Sequence, residues 1–138
     1  MQDDFRVALV LNPALSAGLL ANTAAAIGIG LGARLPDLAG TALSDRDGRR
    51  IDVSSRLAVP VLQVEPEAIR VLLLKALARE DAWALVAFPA FARSLHDFRE
   101  YEALFPGRDL SSETIDGLGI AGPAKWVRSL TGSLKLLR

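Results

Sequence analysis

The sequence contains no cysteine. Disulfides, thiolate catalysis and cysteine-based metal sites are therefore excluded. It holds one histidine, His96, which rules out metal sites built from several imidazoles. Neither sign of charge is in excess, since 16 basic residues balance 16 acidic ones. A neutral chain projects no global field toward RNA or DNA, although a local basic patch stays open. The 138 residues show no internal repeat, low-complexity stretch or linker, so one domain is expected. No targeting segment is recognised. A signal peptide would open on a basic region, whereas Met1 to Arg6 carries Asp3 and Asp4 against one arginine. A cytoplasmic location is the resulting expectation, with no cofactor and no metal.

What the sequence has in quantity is apolar residues, 51% of the chain, ample for a sizeable core. They are densest from Val7 to Ala33, a stretch without a single charge. Its first part reads as a buried strand, Phe5 to Leu11, which Asn12 and Pro13 end. A short loop leads to an Ala- and Gly-rich helix that closes near Arg34. Leu20, Ile27 and Leu31 share one face of that helix. Ala21, Ala25, Gly28 and Gly32 form an adjacent smooth face. A glycine inside a helix costs about 0.5–1 kcal/mol relative to alanine. That cost makes sense if the backbone approaches something closely, either a packed neighbour or a ligand.

Two other readings of the same stretch fail. Gly28, Gly30 and Ala33 fit the spacing of a dinucleotide-binding glycine motif, but that motif starts in the turn after a strand, and this match lies inside the helix. The stretch is also long enough to cross a bilayer. Asn12, Pro13, Ser16, Asn22 and Thr23 interrupt it, which favours a water-soluble core and no membrane.

Downstream, Thr41 to Val53 predicts a hairpin with its turn at Asp47-Gly48. The Asp-rich turn lacks the closing Glu of a calcium loop, because Arg56 stands there. Ala58 to Val64 reads as a second core strand. Pro66 then opens a helix running to about Arg79. Its core face is Ile69, Leu72, Leu73, Ala76 and Leu77, while Val71, Leu74 and Ala78 make a second apolar stripe. That stripe is either covered by another element, such as the next helix or the hairpin, or a subunit contact.

Trp83 to Phe88 is wholly apolar and predicts a central third strand. Phe91, Leu95, Phe98, Tyr101 and Phe105 recur at helical spacing and predict one helix, closed by Pro106-Gly107. Residues 107 to 116 read as a loop, Gly117 to Ala121 as a short strand, and Pro123 as the start of a brief helix capped by Gly132. Leu134 and Leu136 suggest a last strand. Strands alternating with helices predict an α/β domain with a mainly parallel sheet.

Few residues bear chemistry. His96 lies in the charged stretch Arg93 to Glu102, where it is either a plain surface residue or a general base. On a helix Asp97 would point about 100° away from it and would not orient the ring. Ser111, Ser112 and Ser133 have no nucleophile elbow around them. Thr131-Gly132-Ser133 could cradle an anion beside Lys135, although a helix cap explains Gly132.

The opening RVALVLNPALSAGLLANTAAAIGIGLGAR and the closing LGIAGPAKWVRSLTGSLKLLR resemble the uncharacterised bacterial DUF2000 family (domain of unknown function). The Asp-x-Asp-Gly turn and VPVLQVEPEAIRVLL resemble it as well. The same landmarks are similar to the type 2 peptidyl-tRNA hydrolases of archaea and eukaryotes. The most specific match is the ending Thr131, Gly132, Leu134, Lys135, Leu136. The resemblance implies a mixed sheet flanked by helices, and often a homodimer.

It also implies which hydrolase residues should be present, and most are not. The two loop lysines fall on Leu19 and Ala21, and the helix Gln and His on Ala25 and Gly28. The catalytic Asp falls on Pro89 and the following Thr near Arg93. Only Gly18 of the loop survives. A neutral loop binds tRNA phosphates poorly, which disfavours RNA as a partner. Without the Asp no matched residue activates water. The expectation is therefore a relative that binds a small molecule or partner in the equivalent cleft. Asn12, Ser16, Gly18 and Asn22 of the opening loop and helix would line it, with Arg93 and His96 as polar contributors. An ester hydrolase of altered chemistry and a purely dimeric interaction protein are the alternatives.

Overall fold

Alternation along the first strand sets the layering. In β1 (Phe5–Leu11), Val7, Leu9 and Leu11 join one apolar cluster, while Ala8 and Val10 join another. The first cluster is closed by Ile27 and Leu31 of α1 (Ala17–Arg34). The second is closed by Ile69 and Leu73 of α2 (Pro66–Leu77) and Val127 of α4 (Ala124–Thr131). One sheet thus lies between α1 on one face and α2 with α4 on the other. This computed structural model describes residues 4–138. Asp3 and the two residues before it, weighed above against a signal peptide, lie outside that range. Among the described residues no helix is long and apolar enough to cross a membrane.

The main sheet runs in the order β5 (Ala84–Pro89), β6 (Ile115–Pro123), β1, β4 (Val61–Gln63), β7 (Lys135–Leu136). Only the β1–β4 pairing is parallel; β1–β6, β5–β6 and β4–β7 are antiparallel. The domain is α/β with a mixed, mostly antiparallel sheet, which corrects the mainly parallel sheet expected from sequence. A parallel neighbour needs a crossover over one face. The segment between β5 and β6 makes none, so β6 returns antiparallel beside β5.

Three other expectations need correction. The apolar strand β5 is an edge strand; β1 is the middle strand, and between the two lies β6, nine residues long and buried from Ile115 to Gly122. Asp116 made its first part look like loop. The second core strand is short, because the chain before Val61 contributes only the Pro60 carbonyl, which accepts the Leu9 N–H at 3.0 Å. The helix drawn from Phe91 to Phe105 is broken. A 3-10 turn at Ala90–Ser94 is followed by extended residues, and Asp97 then caps α3 (Phe98–Leu104) by accepting the Arg99 N–H at 2.9 Å. The expected hairpin forms between β2 (Leu43–Ser44) and β3 (Arg50–Ile51), with Gly48 at φ +82° in its turn.

The smooth face of α1 behaves opposite to expectation, although Gly30, off that face, does approach the sheet, with an added Cβ 3.2 Å from Val86. Ala21, Ala25 and Gly28 are exposed and Gly32 is half-buried. A Cβ added at Gly28 or Gly32 would meet nothing within 4 Å. The two border a small apolar cleft of about 210 Å³ that Val53 and Val59 help to close. The tightest approach comes from the strand side instead. A Cβ at Gly117 would lie 2.7 Å from Thr23 Cγ2, and one at Gly119 would overlap Ile27 Cγ2. Because the sheet supplies the small residues, α1 can bury its larger ones, Thr23, Ile27 and Leu31.

Among the described residues the second stripe of α2 is left largely uncovered. Val71 is 45% exposed, Ala78 is exposed and Leu74 is half-buried. Neither α3 nor the hairpin shields it.

Candidate functional site

Asp116 stands on the interior strand β6, with no exposed surface. A buried carboxylate is costly unless it is paired and hydrogen-bonded. Asn12, at the end of the neighbouring β1, supplies part of this. Its backbone N–H donates to the Asp116 carbonyl at 2.9 Å and its Nδ2 to Asp116 Oδ1 at 3.3 Å. Asn12 Oδ1 in turn accepts the Ala14 N–H at 3.0 Å, which shapes the loop into α1.

The counter-charge comes from the 3-10 turn after β5. Arg93 Nε lies 2.6 Å from Asp116 Oδ2. The approach is within ion-pair range but lacks hydrogen-bond geometry, so Oδ2 has no hydrogen-bond donor among the described residues. The Arg93 side chain is 37% exposed and leads from the buried carboxylate to a cleft of about 390 Å³. Asn22 of α1 and His96 of the break before α3 line the same cleft, together with Phe88, Phe98 and Tyr101. The last three also line an adjoining groove of about 680 Å³ that extends to Val86, Glu102 and Phe105.

The outer wall of both spaces is α3, which buries none of its residues. It is held by stacked rings: Tyr101 sits 5.6 Å from Phe91 edge-on, 6.0 Å from Phe98 and 5.8 Å from Phe105. Desolvation in this stack pushes the Tyr101 phenol above its ordinary value of 10.0. The carboxyl of Asp97, on the rim, is held below its ordinary range by the Arg99 side chain first and the Arg99 N–H second. Its oxygens therefore serve Arg99 rather than the neighbouring His96. At the foot of the segment Arg108 makes a paired contact with Glu113, at 2.8 Å through both Nε and Nη2, and lies 4.3 Å over the Phe91 ring.

Residues 5–138 match the family described as protein of unknown function (DUF2000). The chain belongs to that family. No functionally curated protein matches it. A solved structure of a protein of unknown function from Agrobacterium tumefaciens is similar, with a TM-score of 0.88 and 19% identity. The match covers 96% of this chain and 97% of that one, which establishes a shared fold.

In this DUF2000 chain the residues nominated from sequence fall into three groups. Asn22, Arg93 and His96 line one cleft. Asn12 lies behind it, joined to Arg93 through Asp116. Ser16 and Gly18 stand apart. Ser16 caps α1, its hydroxyl accepting the Leu19 N–H at 3.4 Å, and Gly18 is exposed in the first helical turn. Among the described residues no three His, Asp or Glu side chains gather as a metal would require.

Sequence reasoning missed Asp116 and Tyr101. Asp116 had a usable signal: a lone carboxylate flush against an apolar run, between Ile115 and Gly117-Leu118. Tyr101 was read only as part of an apolar helix face.

Proposed function

We propose that this protein binds a small molecule in the cleft bordered by Asn22, Arg93 and His96. In this reading its fold is that of the type 2 peptidyl-tRNA hydrolases, without their matched catalytic residues. The observation that carries the reading is the convergence of those three polar side chains on one cleft, with aromatic walls and Asp116 holding Arg93 from behind. Apolar walls with a few convergent polar groups are what a ligand site requires.

The second reading, an ester hydrolase for peptidyl- or aminoacyl-tRNA-like substrates, has less behind it. Pro89 occupies the matched Asp position, and the nearby carboxylate of Asp116 is fully buried beyond Arg93. It has no path to a substrate's attacking water.

His96 supplies a direct test, because it is the only histidine. Its ring protons are single NMR signals that report on the cleft. Titration with a panel of neutral, cationic and anionic fragments is expected to move them saturably for at least one class, with Asn22→Ala weakening the effect. No saturable shift from any class would overturn the binding reading. Release of peptide from peptidyl-tRNA, lost on mutation of a cleft residue, would favour the hydrolase instead.

We also propose a homodimer formed through the second stripe of α2. Val71, Leu74 and Ala78 offer an apolar strip rimmed by Glu67, Arg70 and Lys75. Burying one Leu contributes about 1.5–3 kcal/mol, and a two-fold contact counts it twice. Light scattering is expected to give twice 14.7 kDa, reduced to 14.7 kDa by Leu74→Glu. A wild-type monomer at high concentration rules the dimer out, and a dimer that survives Leu74→Glu moves the interface elsewhere.

A further inference from the structure

We infer that the ligand is an amphiphilic carboxylate, its anionic head on Arg93, Asn22 and His96 and its flat apolar body along Phe88, Phe98 and Tyr101. This inference rests on the small-molecule reading above and adds the ligand's chemical class.

The head group follows from what Arg93 leaves unused. Its Nε faces Asp116, while its side chain stays 37% exposed and borders the cleft, where the Nη edge can meet a ligand. A guanidinium edge is a planar fork that matches a carboxylate with two parallel N–H···O bonds. Asp116 opposes an incoming anion, but part of its charge is spent on the Asn12 amide and part on Arg93 Nε. Asp116 Oδ2 meets Arg93 as an ion pair through Nε. A ligand carboxylate on the Nη edge would share the same guanidinium from the cleft side and leave the Nε contact to Asp116 in place.

The body and its direction follow from the groove. The polar cleft and the apolar groove are one continuous space, because Phe88, Phe98 and Tyr101 border both. Phe98 is 71% exposed, far more than an aromatic side chain needs for packing its own helix. Charge sets the orientation. Glu102 borders the groove end and repels an anion there, while the Asp97 charge on the rim is taken up by Arg99. The head therefore sits at the Arg93 end and the apolar body runs toward Phe105.

The probes are 3-phenylpropionate, its neutral amide, acetate, and phenyl phosphate, each titrated against the full chain. Two reporters lie in the site: the single His96 ring and the single Tyr101 phenol. Phenylpropionate is expected to shift His96 saturably and to raise the Tyr101 titration further, since a body over the phenol removes more water from it. The amide and acetate are each expected to bind at least about tenfold more weakly. Phenyl phosphate distinguishes a carboxylate from a phosphate monoester and is expected to be the weaker of the two.

Arg93→Lys keeps a cation on Asp116 but loses the fork, and is expected to weaken phenylpropionate about tenfold while the fold survives. Phe98→Ala removes an exposed ring and is expected to weaken phenylpropionate but not acetate. Equal binding of acid and amide, equal binding of acetate and phenylpropionate, or tighter binding of the phosphate would each overturn the inference and leave the small-molecule reading standing. Binding unaffected by both variants would overturn it too. If none of these probes moves His96 while another fragment class does, only the carboxylate fails. If nothing moves it, both readings fail together.

Discussion

Gly119→Val is expected to lower the thermal midpoint by roughly 10 °C, from a loss of about 3 kcal/mol. Gly119 lies on the interior strand β6 under α1, and a Cβ there would overlap Ile27 Cγ2 and come within 3.0 Å of Leu31 Cδ1. Ile27 is fully buried and β-branched, and its Cγ2 hangs directly on Cβ. It cannot swing aside as the end of a long side chain could. The helix must then lift from the sheet, and Gly117 beside it resists through its own close contacts to Thr23 and Ile27. Valine's preference for strands returns at most about 1 kcal/mol. Gly28→Ala is the control with the opposite sign. Nothing lies within 4 Å of the added methyl, so removing a helical glycine should stabilise by about 0.5–1 kcal/mol. Thermal melts of the two variants decide the matter. An unchanged midpoint for Gly119→Val would mean that α1 is not seated on the strand glycines.

Arg93→Met is expected to cost about 2–3 kcal/mol in denaturant unfolding at neutral pH. Removing one partner of a buried pair typically costs about 3–5 kcal/mol, because the other charge is left without compensation. The lower figure applies here because the Arg93 side chain is 37% exposed, so water screens the pair and can partly replace the guanidinium. Asp116 retains only the Asn12 amide on Oδ1. The double variant Arg93→Met, Asp116→Asn removes the orphaned charge. It is expected to recover at least about 1 kcal/mol relative to the sum of the single variants. A cost for Arg93→Met within about 0.5 kcal/mol of zero, the size of an ordinary surface substitution, would mean that Arg93 does not hold the carboxylate in solution.

The sequence by itself determined the elements whose causes are local. The apolar run Phe5 to Leu11 stopped by Asn12-Pro13 and the helix to Arg34 are legible because each rests on neighbouring residues. The same holds for Pro66 opening α2 and for Gly48 turning the hairpin. The candidate site was legible in part. Asn22, Arg93 and His96 stand out as polar residues beside apolar runs, yet their meeting in one cleft depends on how α1 and the segment after β5 dock. Strand order and direction, and the interior place of β6 between β5 and β1, were decided only by the tertiary structure. So were the break before α3 and the choice of Gly117 and Gly119 over Gly28 and Gly32 as the close contacts. Asp116 belongs with these. Its carboxylate is tolerable only because Asn12 arrives from the other end of the chain and Arg93 from the turn after β5. A residue's own neighbours bias its backbone angles and its period. Its burial and its partners come from segments brought near by folding, and a single sequence carries no pairwise record of those.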